Sequence, residues 1–122
     1  MLGSNHHACA LEINNFGILI QGKSGSGKTS LMLGLLEYCS LRDLNAFMIA
    51  DDQVLLTCNQ NDLVATAPEV TAGMVELRGY GIIKRNNKPF CKIGLIVEII
   101  EDEKIDRMPQ QKYQILETEN YK

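Results

Sequence analysis

Apolar positions along this chain fall into short blocks, and the spacing inside each block separates strands from a helix. Cys9 to Ile13 reads as a short strand, closed by a turn at Asn14-Asn15. Phe16 to Ile20 (FGILI) is an unbroken apolar run, the pattern of a strand covered on both faces. Gly22 to Gly27 is too rich in glycine for regular structure. From Lys28 the period changes. Leu31, Leu35 and Leu36 recur at helical spacing and Met32 widens the stripe, so the pattern predicts a helix that fades between Cys39 and Asp43.

Ala46 to Ala50 (AFMIA) is a second strand of the buried type, ended by Asp51-Asp52. Val54 to Thr57 and Leu63 to Ala67 form a predicted hairpin that turns at Asn59 to Asp62. Pro68 to Gly73 is a loop, and Met74 to Leu77 is a short apolar stretch around Glu76. Gly79 and Gly81 permit unusual backbone angles, and Asn86-Asn87-Lys88-Pro89 is another turn. Cys91 to Ile100 is a long β-rich run, and the tail beyond Arg107 is expected to be irregular. Strand, glycine loop, helix and further strands make an α/β fold: a P-loop-containing mixed β-sheet with a helix crossover. The 122 residues suit one domain spanning 1–122.

Composition narrows the function classes. The net charge of -3 argues against nucleic acid as the main partner, because a phosphate backbone needs clustered cations. It leaves a single nucleotide open. No stretch is apolar for long enough to span a bilayer, and no basic region followed by an apolar run marks a signal peptide, so a cytoplasmic protein with no membrane partner is expected. Cys9, Cys39, Cys58 and Cys91 are too scattered for a zinc or redox pair and read as reduced thiols. Gly3 to His7 (GSNHH) by itself resembles a vector-derived leader.

The strongest chemical signal is Gly22-Lys23-Ser24-Gly25-Ser26-Gly27-Lys28-Thr29, which fits the P-loop (Walker A) pattern at every fixed position. Glycines let several backbone N–H groups converge on one oxyanion, and the following helix adds its unpaired N–H groups and the positive end of its dipole. Lys28 suits the β- and γ-phosphates, and the Thr29 hydroxyl suits Mg²⁺. ATP is the expected ligand. Ser24 and Ser26 need only be small. The bland alternative, a glycine-rich turn with no ligand, conflicts with the apolar strand before the loop and the amphipathic helix after it.

Asp51-Asp52 ends the strand that follows the P-loop helix, where a P-loop enzyme holds Mg²⁺ or its waters. Two adjacent acids allow one to hold the cation network while the other takes a proton from an attacking hydroxyl. The alternative is a solvated pair capping a strand. Glu76 is the one charge in an apolar stretch and needs a partner or a cation, unless it belongs to an edge-strand Glu–Arg alternation.

Four stretches together resemble the catalytic domain of HPr kinase/phosphorylase: HACALEI from His7, GKSGSGKT, IADD at Ile49 to Asp52, and VELRGYGIIK from Val75 to Lys84. The resemblance implies a protein-serine kinase that phosphorylates an HPr-type phosphocarrier protein with ATP and Mg²⁺, reverses the reaction by phosphorolysis, and assembles as a hexamer. It also implies roles. His7 resembles the active-site histidine, Lys28 the catalytic lysine, and Thr29 and Glu76 the Mg²⁺ ligands. Asp52 resembles the proton acceptor, with Asp51 supporting it. Thr29 replaces the commoner serine, and Ser30 stands where an acid is often found. The family's later arginine-containing segment finds no match before Lys122, and Arg107 in KIDRMP lies in another context. Two other readings remain: an ATP-binding sensor that transfers nothing, and a small-molecule P-loop kinase, which would usually carry an arginine-rich lid.

Overall fold

The structure, a computed structural model, describes residues 3–77, 81–84 and 86–100; at 76, 77, 83 and 84 it describes the backbone alone. The tail expected to be irregular beyond Arg107, and the Arg78-Gly79-Tyr80 part of the VELRGYGIIK stretch, lie outside the described residues. The strands are β1 (Ser4–His6), β2 (Ala8–Ile13), β3 (Phe16–Gly22), β4 (Ala46–Ala50), β5 (Val54–Asn59), β6 (Asp62–Thr66), β7 (Met74–Leu77), β8 (Gly81–Lys84) and β9 (Phe90–Ile99), with one α-helix, α1 (Lys28–Leu41). A 3-10 turn at Glu69–Thr71 breaks the loop before β7.

Seven strands pair in the order β1-β5-β6-β9-β3-β2-β4, and β7 pairs with β8 in a separate hairpin. Strand β2 runs antiparallel to both β3 and β4, so β3 and β4 run the same way. Helix α1 is therefore the crossover expected from the sequence, passing from β3 to β4 over β2. The β3–β9 pair is parallel, while β6–β9 and β5–β6 are antiparallel, which makes the sheet mixed.

Alternation along the central strands divides the core in two. Ala8, Ala10 and Leu19 face one side, where they meet Ile49, Val54, Leu56, Leu63 and Ala65, so the two halves of the curled sheet close on each other. Cys9, Leu11, Ile18 and Ile20 face the other side, covered by Met32 and Leu36 of α1 and by Val75 of β7. Glu12 is buried, and the Lys88 ammonium meets it at 2.6 Å while lying over the Phe47 ring.

Several details differ from expectation. Gly3 to His7 is not a bare leader, because Ser4–His6 pairs with Leu56 to Val54 of β5. The FGILI strand continues to Gly22, held by Gln21↔Glu98 and Gly22↔Ile99 pairing with β9. The inward face of α1 is Lys28, Met32, Leu36 and Cys39, whereas Leu31 turns outward. The β5–β6 turn is tighter than Asn59 to Asp62, since Asn59 and Asp62 pair and only Gln60 and Asn61 turn, both with positive φ. The four cysteines are free thiols, as expected, and all but Cys58 are buried.

Candidate active site

The glycine loop leaves the end of β3 and enters α1 through Gly25 (φ 81°) and Gly27 (φ 102°), both in the left-handed region that a side chain disfavours. Among the described residues no side chain caps the start of α1, and no acid sits in its first turn. Its first N–H groups are therefore left for an anion, with the helix dipole in support. Lys28 is buried, and its Nζ donates to the carbonyls of Gly22 (2.9 Å) and Lys23 (3.0 Å). The ammonium is thus tethered across the mouth of the loop.

Strand β4 delivers the two acids beside it. Because β2 lies between β3 and β4, the residue after Ala50 comes level with the start of α1. The Thr29 hydroxyl donates to Asp51 Oδ1 at 2.7 Å, and the Cys9 thiol donates to the same oxygen at 3.3 Å. Asp52 follows in a left-handed conformation (φ 67°), a sharp turn that sends the next acid another way. Its side chain is 58 % exposed, with Oδ1 at 4.0 Å from Lys28 Nζ. The adjacent acids therefore have different surroundings: Asp51 is tied to Thr29 and Cys9, and Asp52 faces solvent next to the lysine.

These residues line an open cleft of about 710 Å³. Ser24, Gly25, Gly27, Lys28, Thr29, Asp51 and Asp52 form one wall, and Thr71, Met74 and Ile82 close it from the β7–β8 side. The structure thus brings together most of the loop and both acids. His7 stands apart from that lining, exposed at the bend between β1 and β2, at the sheet end where Ala8 pairs with Gln21. Glu76 lies on β7 opposite Ile82, and only its backbone is described.

Thr29 Oγ1 and the Asp51 carboxylate are hard oxygen donors at hydrogen-bonding distance, beside a loop shaped for phosphate. That donor set fits Mg²⁺, which takes one or two protein oxygens plus phosphates rather than a cage of side chains. Among the described residues no group of three or more His, Cys, Asp and Glu forms such a cage. Sequence reasoning missed Cys9, read only as a reduced thiol. Its partners lie 20 and 42 residues away, and no local pattern could have joined them.

Comparison with known proteins identifies the family. A family model described as HPr Serine kinase C-terminal domain matches residues 2–120. The chain is 31 % identical over 105 residues to the HPr kinase/phosphorylase of Mycoplasma mycoides, covering 80 % of this chain and 32 % of that protein. It is 32 % identical over 122 residues to the HPr kinase/phosphorylase of Mycoplasmopsis pulmonis, covering 89 % and 38 %. The chain thus spans about a third of the length of these curated relatives. The solved structure of the Hpr(Ser) kinase/phosphatase from Coxiella burnetii matches with a TM-score of 0.71 at 25 % identity, covering 92 % of this chain and 68 % of that one. The fold expected from the sequence is the fold found.

Proposed function

The chain belongs to the HPr serine kinase C-terminal domain family, and from that premise we propose that it binds ATP with Mg²⁺ and transfers the γ-phosphoryl group to a serine of an HPr-type phosphocarrier protein. One observation carries this reading beyond nucleotide binding. An exposed carboxylate, Asp52, stands 4.0 Å from the phosphate-binding lysine, so a base for the acceptor hydroxyl lies beside the group that grips the donor.

The loop N–H groups of Gly22 to Thr29 and the start of α1 hold the β- and γ-phosphates. Lys28 exchanges the carbonyls of Gly22 and Lys23 for phosphate oxygens and stabilises the charge that develops in transfer. Thr29 and Asp51 would hold the cation, and Glu76 is proposed as a further ligand on the family resemblance. Bound Mg²⁺ would supply positive charge against the phosphates. Asp52 accepts the serine proton as the oxygen attacks phosphorus, and Asp51 supports it through the adjacent backbone. His7 is proposed as a further active-site group on the family resemblance. No membrane or nucleic-acid partner is invoked. No helix of the described residues is long and apolar enough to cross a membrane. A cytoplasmic location and a homo-oligomer, a hexamer by resemblance, complete the proposal.

Incubation with γ-labelled ATP, Mg²⁺ and an HPr-type carrier tests it. Acid-stable, serine-linked label on the carrier is the expected result. Nucleotide binding by calorimetry with no label on the carrier would reject the kinase and leave an ATP-binding sensor.

A further inference from the structure

Cys9 sits in the middle strand of the β3-β2-β4 trio and is fully buried. It faces α1, and its sulfur reaches the turn where β4 delivers the two acids. Three contacts meet there. The thiol donates to Asp51 Oδ1 at 3.3 Å, and Thr29 Oγ1 donates to the same oxygen at 2.7 Å. Thr29 Oγ1 lies 3.9 Å from the sulfur. The Asp52 backbone N–H also points at the sulfur. One thiol on β2 therefore joins the acids after β4 to Thr29 at the start of α1.

A buried thiol in an apolar core needs no partner and is usually inert packing. This one is placed differently, because both of its side-chain neighbours are the oxygen groups assigned to the cation. The thiol is fully buried and donates to the Asp51 carboxylate, so it acts on that group as a fixed donor. With one Asp51 oxygen fixed by two donors, the carboxylate plane is set and its second oxygen is left for the cation.

We propose that Cys9 is a positioning residue for the Mg²⁺ site, orienting Asp51 and Thr29 from behind without touching cation or nucleotide. The inference rests on the reading that these two residues hold Mg²⁺. A partner behind a ligand usually governs metal affinity by ten-fold or more. The effect should therefore appear in the Mg²⁺ requirement and not in the grip on phosphate.

The test measures fluorescent ATP-analogue binding to the whole chain across a Mg²⁺ titration, for wild type, Cys9→Val and Cys9→Ser. Valine removes the donor while keeping an apolar, somewhat larger side chain, and serine restores the donor. Cys9→Val should need about ten-fold more Mg²⁺ for half-maximal binding, with metal-free affinity in EDTA within about two-fold of wild type. Cys9→Ser should return the Mg²⁺ midpoint to within about three-fold. An unchanged midpoint in Cys9→Val overturns the inference. So does equal loss of affinity with and without Mg²⁺, which marks a packing defect. If the wild type shows the Mg²⁺-dependent binding but labels no carrier, the kinase reading fails alone and the titration still decides the role of Cys9. A wild type that binds no nucleotide overturns both.

Discussion

Lys28 shows how a single residue can be prepared for a ligand. Its ammonium is held by two carbonyls and faces Asp52, so on the proposed reading a phosphate would replace existing contacts rather than order a loose side chain. Lys28→Ala should weaken ATP binding by about ten- to a hundred-fold, the scale of one lost charge-assisted hydrogen bond, as measured by calorimetry. Asp52→Asn should keep ATP affinity and slow transfer by about 10²- to 10⁴-fold, because the amide accepts no proton. A titrating group outside the cleft gives a third test. Burial lowers the His6 imidazole from its ordinary 6.5, and its Nε2 is enclosed without a hydrogen-bond partner among the described residues. The unfolded chain then binds the proton more readily, so this contribution to stability is whole above about pH 6.5 and is lost as pH falls below it. In His6→Gln the drop in Tm between roughly pH 6.5 and 5 should be shallower than in wild type. The glycine loop between β3 and α1 was legible because its left-handed turns need glycine at fixed positions. The Cys9–Asp51–Thr29 contact was not, because only the pairing of β2 with its neighbours brings those positions together.

Among the elements, α1 was located correctly, and of its expected stripe Met32, Leu35 and Leu36 pack toward the sheet while Leu31 turns outward. A leucine-rich helix offers two overlapping apolar stripes, and its sequence does not say which one meets the sheet. The structure selects Met32 and Leu36, fully and nearly fully buried against β2, β3 and β4. Met32→Ala should cost about 2–5 kcal/mol in denaturant unfolding, and Leu31→Ala little. Strand β1 escaped notice for the opposite reason. Ser4–His6 is polar, and its strand form comes from hydrogen bonding to β5 rather than from a pattern of its own. At the β3–β9 contact, a Cβ at Gly17 would collide with the Lys92 carbonyl oxygen. That is backbone, which cannot swing aside. Gly17→Ala should therefore cost about 3 kcal/mol, at the upper end for overpacking, and the same unfolding measurement checks it.

For the whole molecule, the sequence made the α/β class and the crossover legible through the change of period at Lys28. It did not reveal that β9 would lie parallel to β3, since pairing partners of two apolar runs are chosen by the completed sheet. The result is a cleft whose walls come from the loop, the end of β4 and the β7–β8 hairpin. The strand that carries the loop is flanked by β2 and by β9. One flank is made at once, across the two-residue turn at Asn14-Asn15, and the other arrives more than seventy residues later in the chain. On the ribosome, FGILI must therefore wait with an unsatisfied edge while most of the chain is translated. Such an edge is a template for intermolecular pairing. The sheet that frames the loop and the protection from clumping thus arrive together, with the emergence of Ile99.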